Sequence, residues 1–277
     1  MRVQLEGVPE TLLWTLYQRA GEARRPDSVL RDPRAVEVLD AIDFPFEQRF
    51  GKAGSSWSQW QALRARCFDR EVERFLRDHP DGTVVALGEG LETQFWRVDN
   101  GRVHWLTIDL PEAIEVRERI LPSSDRQYAL ACSALDTRWT DVINPAPGVL
   151  ITAQGLFMYL APDEVRGLVK TCAARFPGGA LVFDAVPRWL SERSQADKLG
   201  SPGGWRPPPW TWWMDAHERR ILSELPNVSE LRKLRLPRGR GALFGYVAPS
   251  LARVPGLGSG FFSIMRADFD PAAATPR

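Results

Sequence analysis

The chain has little histidine, little cysteine, almost no net charge and no long apolar run. Three histidines and three cysteines stand among 277 residues. Cys67, Cys132 and Cys172 are odd in number, widely spaced and free of CxxC pairing, so they read as buried thiols of a reducing compartment and not as a disulfide framework or a metal site. With 36 basic against 35 acidic side chains, no global field collects nucleic acid or an anionic membrane. No segment approaches the roughly 18 uninterrupted apolar residues of a membrane span, and the opening "MRVQLEGVPE" lacks an apolar signal core. These absences lead us to expect a cytoplasmic protein without a metal, whose partner is a small molecule met locally.

The length allows one large α/β domain burying roughly 75% of its unfolded surface. From Thr83 onward, short β-rich runs alternate with helical stretches, as βαβ units do. Strands are expected at 83–87, 103–108, 128–132, 148–153 and 180–186, with a final strand within "FFSIMRADF". The stretch "PDEVRGLVKTCAARF" is the clearest helix: Pro162 suits a first turn, Asp163 and Glu164 complement its positive end, and Val165, Leu168, Val169 and Cys172 form one stripe. Helical segments occupy residues 1–80, ahead of the alternating unit at 81–269, and residues 270–277 read as a loose tail. Between about 187 and 217 lies a segment too rich in Pro, Gly and Trp to continue the sheet. It reads either as a lid presenting Trp205, Trp210, Trp212 and Trp213 as an aromatic wall, or as a small satellite core.

The stretch "TVVALGEGLET" joins a strand to a GxG turn, which lets the backbone turn sharply and lets a ligand approach the main chain. An acidic residue about 20 positions later, at the end of the second strand, is placed to bind ribose hydroxyls. Asp109 fits. The third glycine of a dinucleotide fingerprint is replaced by Thr93, and Glu89 inside the turn would repel a pyrophosphate. A cationic sulfonium with a ribose, S-adenosylmethionine, suits nearby carboxylates better. After the third run, Asp136 is set to accept the adenine amino group, with Leu135 and Thr137 beside the ring; after the fourth, Gln154, Gly155 and Tyr159 reach the carboxyl edge of the sheet. A nicotinamide-dependent oxidoreductase and a catalytically silent cofactor-binding protein are the competing readings.

Taken in order, "GEGLET", "TIDLPE", "ALDTRW" and "AQGLFMYL" resemble the leucine carboxyl methyltransferase family, in particular its bacterial branch of tetracenomycin-type polyketide carboxyl O-methyltransferases. The resemblance extends to "TLLWTLYQRAGEARRPDSVLRDPRA" and "LPRGRGALFGYVAP". It implies a class I S-adenosylmethionine-dependent methyltransferase, Rossmann-like fold with a mainly parallel sheet, a helical N-terminal cap and a lid insertion. It also implies an O-methyltransferase acting on a carboxylate or phenol of a small aromatic or polyketide-like natural product. By the same resemblance Gly88 and Gly90 border the methionine part, Asp109 and Leu110 meet the ribose, and Leu135, Asp136 and Thr137 hold the adenine. Gln154 stands where many relatives carry an acid.

An arginine of "ALRARCFD" contacts a carboxylate in that family, and Arg64 is the match. Its helical face supports this: Arg64, Phe68, Val72 and Phe75 line one side, whereas Arg66 points away. A guanidinium there needs an anion, either a ligand or a structural partner. Arg19 is a second arginine of this kind. Tyr159 is placed to orient acceptor or cofactor. Among the histidines, His79 and His104 read as structural, and only His217, after the Trp-rich segment, is set near substrate with Trp210 and Trp213. That shortage of bases favours a carboxylate acceptor, which is already ionised near neutral pH.

Overall fold

The computed structural model describes residues 5, 7–53, 56–201, 203–247 and 262–271. The chain begins with helices α1 (Thr11–Ala23), α2 (Pro33–Ala41), α3 (Phe46–Phe50) and α4 (Ser56–Asp78). Strand β1 (Thr83–Leu87) then opens the alternation: α5 (Gln94–Val98), β2 (His104–Asp109), α6 (Pro111–Ile120), β3 (Gln127–Ala131), β4 (Val149–Ala153), α7 (Pro162–Arg175) and β5 (Ala180–Ala185). Helices α8 (Arg188–Gln195) and α9 (Ala216–Ser223) precede β6 (Val228–Lys233) and β7 (Ser263–Phe269). The expected tail beyond Pro271 lies outside the described residues.

Seven strands form one sheet in the order β3-β2-β1-β4-β5-β7-β6. The first five are parallel neighbours, and β7 inserts antiparallel between β5 and β6. The chain leaves β1 toward β2 and β3, then returns to place β4 on the other side of β1, so the topological switch falls between β1 and β4. Ligands of open α/β sheets bind outside the carboxyl ends at that point. This is the mainly parallel class I methyltransferase sheet that the motifs imply.

Both faces of the sheet are covered at β1, β2, β4 and β5, which explains why these strands are apolar runs rather than alternations, whereas the edge strand β3 is largely exposed. On one face Val85, Leu87, Ile151, Leu181 and Phe183 meet the α7 stripe of Val165, Leu168, Val169 and Cys172. On the other, Val84, Ala86, Leu150 and Val182 meet Cys67, Phe68, Val72 and Phe75 of α4. Thus α4 is a sheet helix at its C-terminal half, and its N-terminal half packs with α1. Burial drives the thiols of Cys67 and Cys172 up to about 12, consistent with inert core cysteines. A third cluster joins α1, α2 and α3 to Leu91, to Ala113 and Val116 of α6, and to Trp205. The helices that precede the sheet are therefore fastened over its carboxyl edge.

In the Trp-rich segment the tryptophans do not act as one group. Trp212 is fully buried against Phe157 and Phe183. Trp210 and Trp213 join a small cluster with Met158, Val186 and Leu190.

Candidate active site

Strand β1 ends at Leu87 and the chain turns through Gly88 and Gly90, whose φ values of +62° and +52° lie in the left-handed region. Both glycines also permit close packing. A Cβ on Gly90 would stand 2.9 Å from the Leu12 Cβ of α1, and one on Gly88 would stand 3.1 Å from a methyl of Leu156. The turn is held by Asp109 at the end of β2, whose carboxylate accepts from the Gly90 N–H at 2.7 Å and the Leu110 N–H at 2.8 Å. Burial pushes the Asp109 carboxyl up, against those two hydrogen bonds. Each carboxylate oxygen retains a lone pair for a further donor.

Glu89 is tucked beneath the turn. Its carboxylate accepts from the Trp105 indole and the Thr107 hydroxyl, and it pairs with Arg117 at 3.1 Å. Its charge is therefore compensated within the fold, and the expected repulsion of a pyrophosphate loses its force as a discriminator.

At the end of β4, Gln154 donates to Glu92 at 3.1 Å, and its amide oxygen is buried with no partner. Glu92 belongs to a buried ionic network. Arg19 of α1 pairs with Glu92 at 2.9 Å and Asp32 at 3.0 Å, and Arg97 of α5 pairs with Glu92, Asp32 and Asp69. Burial alone would raise the Glu92 carboxyl, but Arg19 and Arg97 outweigh it and hold the group at about 2. Arg19 is thus structurally paired as well as facing the cavity.

Arg64 projects from α4 toward the same edge and has found an anion inside the protein: Asp184, on β5, lies 2.7 Å away and is itself 1% exposed. The other oxygen of Asp184 accepts from the Gly155 N–H at 2.7 Å, so one carboxylate fixes both Arg64 and the turn after β4. The Arg64 Nε remains buried without an acceptor. Tyr159 lies nearby, and burial pushes its phenol above the ordinary value.

These groups open onto one cavity of about 740 Å³. Arg19, Arg64, Gly88, Gly90, Asp109, Leu110, Gln154, Tyr159 and Trp210 all line it. Leu135, Asp136, Thr137, Trp213 and His217 do not. At the end of β3 it is Ser133 and Ala134 that reach the cavity, while Asp136 caps the following turn and is paired with Arg138, which holds it at about 2. Trp213 lies beneath Arg188, and His217 is exposed on α9. None of the three histidines lines the cavity.

Sequence reasoning missed Asp184 and an aromatic belt. Trp57, Trp60, Gln61 and Arg64 are spaced i, i+3, i+4 and i+7, so extending the Arg64 face toward the start of α4 finds two of the belt's members. Trp14 stacks on Trp205 at 5.6 Å, Trp57 and Trp60 meet Phe262 at 5.8 and 4.8 Å, and all five line the cavity.

The residues present fit a cofactor that carries ribose hydroxyls and an ammonium group. Asp109 has acceptor capacity to spare, the buried Gln154 oxygen lacks a donor, and the Arg64 Nε lacks an acceptor.

The model of the leucine carboxyl methyltransferase family matches residues 13–173. The tetracenomycin polyketide synthesis O-methyltransferase TcmP of Streptomyces glaucescens is 33% identical over 208 residues, covering 73% of this chain and 76% of the relative. An S-adenosyl-L-methionine-dependent methyltransferase of Gibberella zeae, dpfgK, is 28% identical over 277 residues, covering 91% of each. The glycine turn, Asp109, Gln154 and Arg64 all fall inside the matched span, and the chain belongs to the leucine carboxyl methyltransferase family.

Proposed function

We propose that the protein is an S-adenosylmethionine-dependent O-methyltransferase whose acceptor is the carboxylate of a small aromatic or polyketide-like acid. The observation that carries the carboxylate over a phenol is the chemistry of the cavity wall. It holds no histidine, Glu89 and Glu92 are engaged by arginines, and the Tyr159 phenol is pushed up. The remaining lining carboxylate, Asp109, holds the Gly90 and Leu110 N–H groups and is assigned to the ribose. No described lining group is left to serve the acceptor as a base, which favours one that arrives ionised, as a carboxylate does and a phenol does not.

When bound, the cofactor supplies an electrophilic methyl carbon on a sulfonium. In this reading Gly88 and Gly90 border its methionine part, Asp109 and Leu110 meet the ribose, and Gln154 accepts from the ammonium. Ser133 and Ala134 carry the adenine end, with Leu135, Asp136 and Thr137 following at its outer edge. Arg64 directs its free N–H at a carboxylate, held in line by Asp184, and Tyr159 orients the acceptor. What the protein must do is align the reacting groups and exclude water, and the aromatic belt with the fastened N-terminal helices suits that task.

Calorimetric titration with S-adenosylhomocysteine, with NAD as a parallel control, tests the cofactor: micromolar binding of the first and none of the second is expected, and the reverse removes the proposal. Aromatic acids that turn over should yield base-labile methyl esters. Base-stable ethers from phenols alone would shift the acceptor to the hydroxyl.

A further inference from the structure

Charge is segregated along the cavity. At the sheet edge every lining arginine has an internal counter-ion: Arg19 has Asp32 and Glu92, and Arg64 has Asp184. The remaining lining cations are Lys52, after α3, Arg193, on α8, and Lys198, just beyond it. All three are exposed, so they stand where the cavity opens to solvent. No carboxylate among the described residues pairs with any of them. The acids beside them on the chain are already taken, Glu192 by Arg188 and Asp197 by Arg206.

Between the two ends the wall is aromatic, and it carries two unmet indole donors, on Trp205 and Trp210. Trp205 is 4% exposed and its indole N–H has no acceptor. Buried indole N–H groups ordinarily find a partner. A flat molecule bearing an oxygen substituent would supply one here.

We propose that Lys52, Arg193 and Lys198 form an anion-collecting rim that draws an oxygenated aromatic carboxylate into the cavity, a specificity device for the acceptor that rests on the function proposed above. The buried arginines cannot do this work, because their charges are cancelled at close range. Unscreened cations around a low-dielectric mouth raise the association rate of an anion, by about tenfold or more, and salt removes the effect. The rim also distinguishes acceptor from product. A carboxylate that has become a methyl ester carries no charge, so the rim attracts the acceptor and not the ester.

The test is stopped-flow quenching of tryptophan fluorescence in the full chain, with S-adenosylhomocysteine present. The probes are 2-naphthoate and uncharged 2-naphthamide, and the proteins are the wild type and the triple variant Lys52→Gln, Arg193→Gln, Lys198→Gln. At low salt, naphthoate should associate with the wild type about tenfold faster than with the variant, and naphthamide should associate equally with both. The naphthoate advantage should vanish at about 0.5 M salt. Equal naphthoate rates in the two proteins, or no quenching by naphthoate at all, would overturn the rim. Calorimetry with S-adenosylhomocysteine on the same samples separates the failures: unchanged binding is expected in both proteins, and its absence from the wild type strikes the cofactor assignment and leaves the rim result standing.

Discussion

Asp184 changes what a substitution at Arg64 would report. Both groups are buried, and removing only the arginine leaves a carboxylate uncompensated, a loss of about 3–5 kcal/mol in stability. Weak ligand binding by Arg64→Ala alone would therefore mix two causes. The double variant Arg64→Met, Asp184→Asn removes both charges, and the asparagine oxygen can still accept from the Gly155 N–H. Such paired replacements are often close to neutral in stability. We expect this variant to melt near the wild type but to bind S-adenosylhomocysteine more weakly by about 1.5–3 kcal/mol, the scale of a charge-assisted hydrogen bond; unchanged affinity would return Arg64 to a structural role. Asp109→Ala should weaken the same ligand by a similar amount, since it frees both the turn and the ribose position. Arg64 was legible because a helical face can be counted from the sequence. Its partner was not, because a lone carboxylate inside the apolar run "ALVFDAV" gives no sign in the sequence of which distant group it meets. The shift from Asp136 to Ser133 and Ala134 has the same origin: a strand can be recognised from its composition, but the path of the turn beyond it depends on local capping, here by Asp136 itself.

Five elements converge on the ionic network: α1 through Arg19, the N-cap of α2 through Asp32, α4 through Asp69, α5 through Arg97 and the glycine turn through Glu92. Its dependence on pH has a definite sign. Arg19 and Arg97 hold Glu92 at about 2 in the folded chain, below its ordinary 4.5, so its ionised form favours the fold above about pH 4.5, by on the order of 3 kcal/mol, and the contribution drains away as pH falls toward 2. Burial raises Asp69 and Glu89 instead, so their protonation on acidification favours the fold and masks part of the loss in the intact chain. The informative comparison is urea unfolding of wild type against Glu92→Gln, which should differ most near pH 6, less at about pH 3, and converge only near pH 2. A gap independent of pH would mean that Glu92 acts by packing rather than charge. At this scale the central parallel strands β1, β2, β4 and β5 and helix α7 were readable because double-sided burial demands uninterrupted apolar runs and single-sided burial demands a stripe. Strand β6 was not, since "VSELRK" is an edge strand carrying three charged side chains and one buried apolar residue.

The cavity belongs to the whole molecule and to no single segment: α1 and α4 supply Trp14, Trp57 and Trp60, the sheet edge supplies Gly88, Asp109 and Gln154, and the Trp-rich segment supplies Trp205 and Trp210. Contacts such as Trp14 on Trp205 join residues far apart in sequence, and no local periodicity encodes them. This is why the sheet could be read in advance while the belt could not, although the abundance of tryptophan in the 187–217 segment pointed to one of its walls. The same arrangement predicts that a ligand at the sheet edge steadies distant parts of the chain together. A ligand that binds only the folded state stabilises it by about 2.7 kcal/mol at a hundredfold excess over its dissociation constant. Because Gly90 packs on Leu12 and Trp205 packs on Trp14, the N-terminal helices, the turn and the Trp-rich segment should respond as one unit. Hydrogen exchange with and without S-adenosylhomocysteine should show added protection in α1, in residues 88–94 and in the stretch around Trp205. Protection confined to residues 88–94 would instead mean that the cap and the Trp-rich segment are packed independently of the ligand, and closing the cavity would then fall to the acceptor.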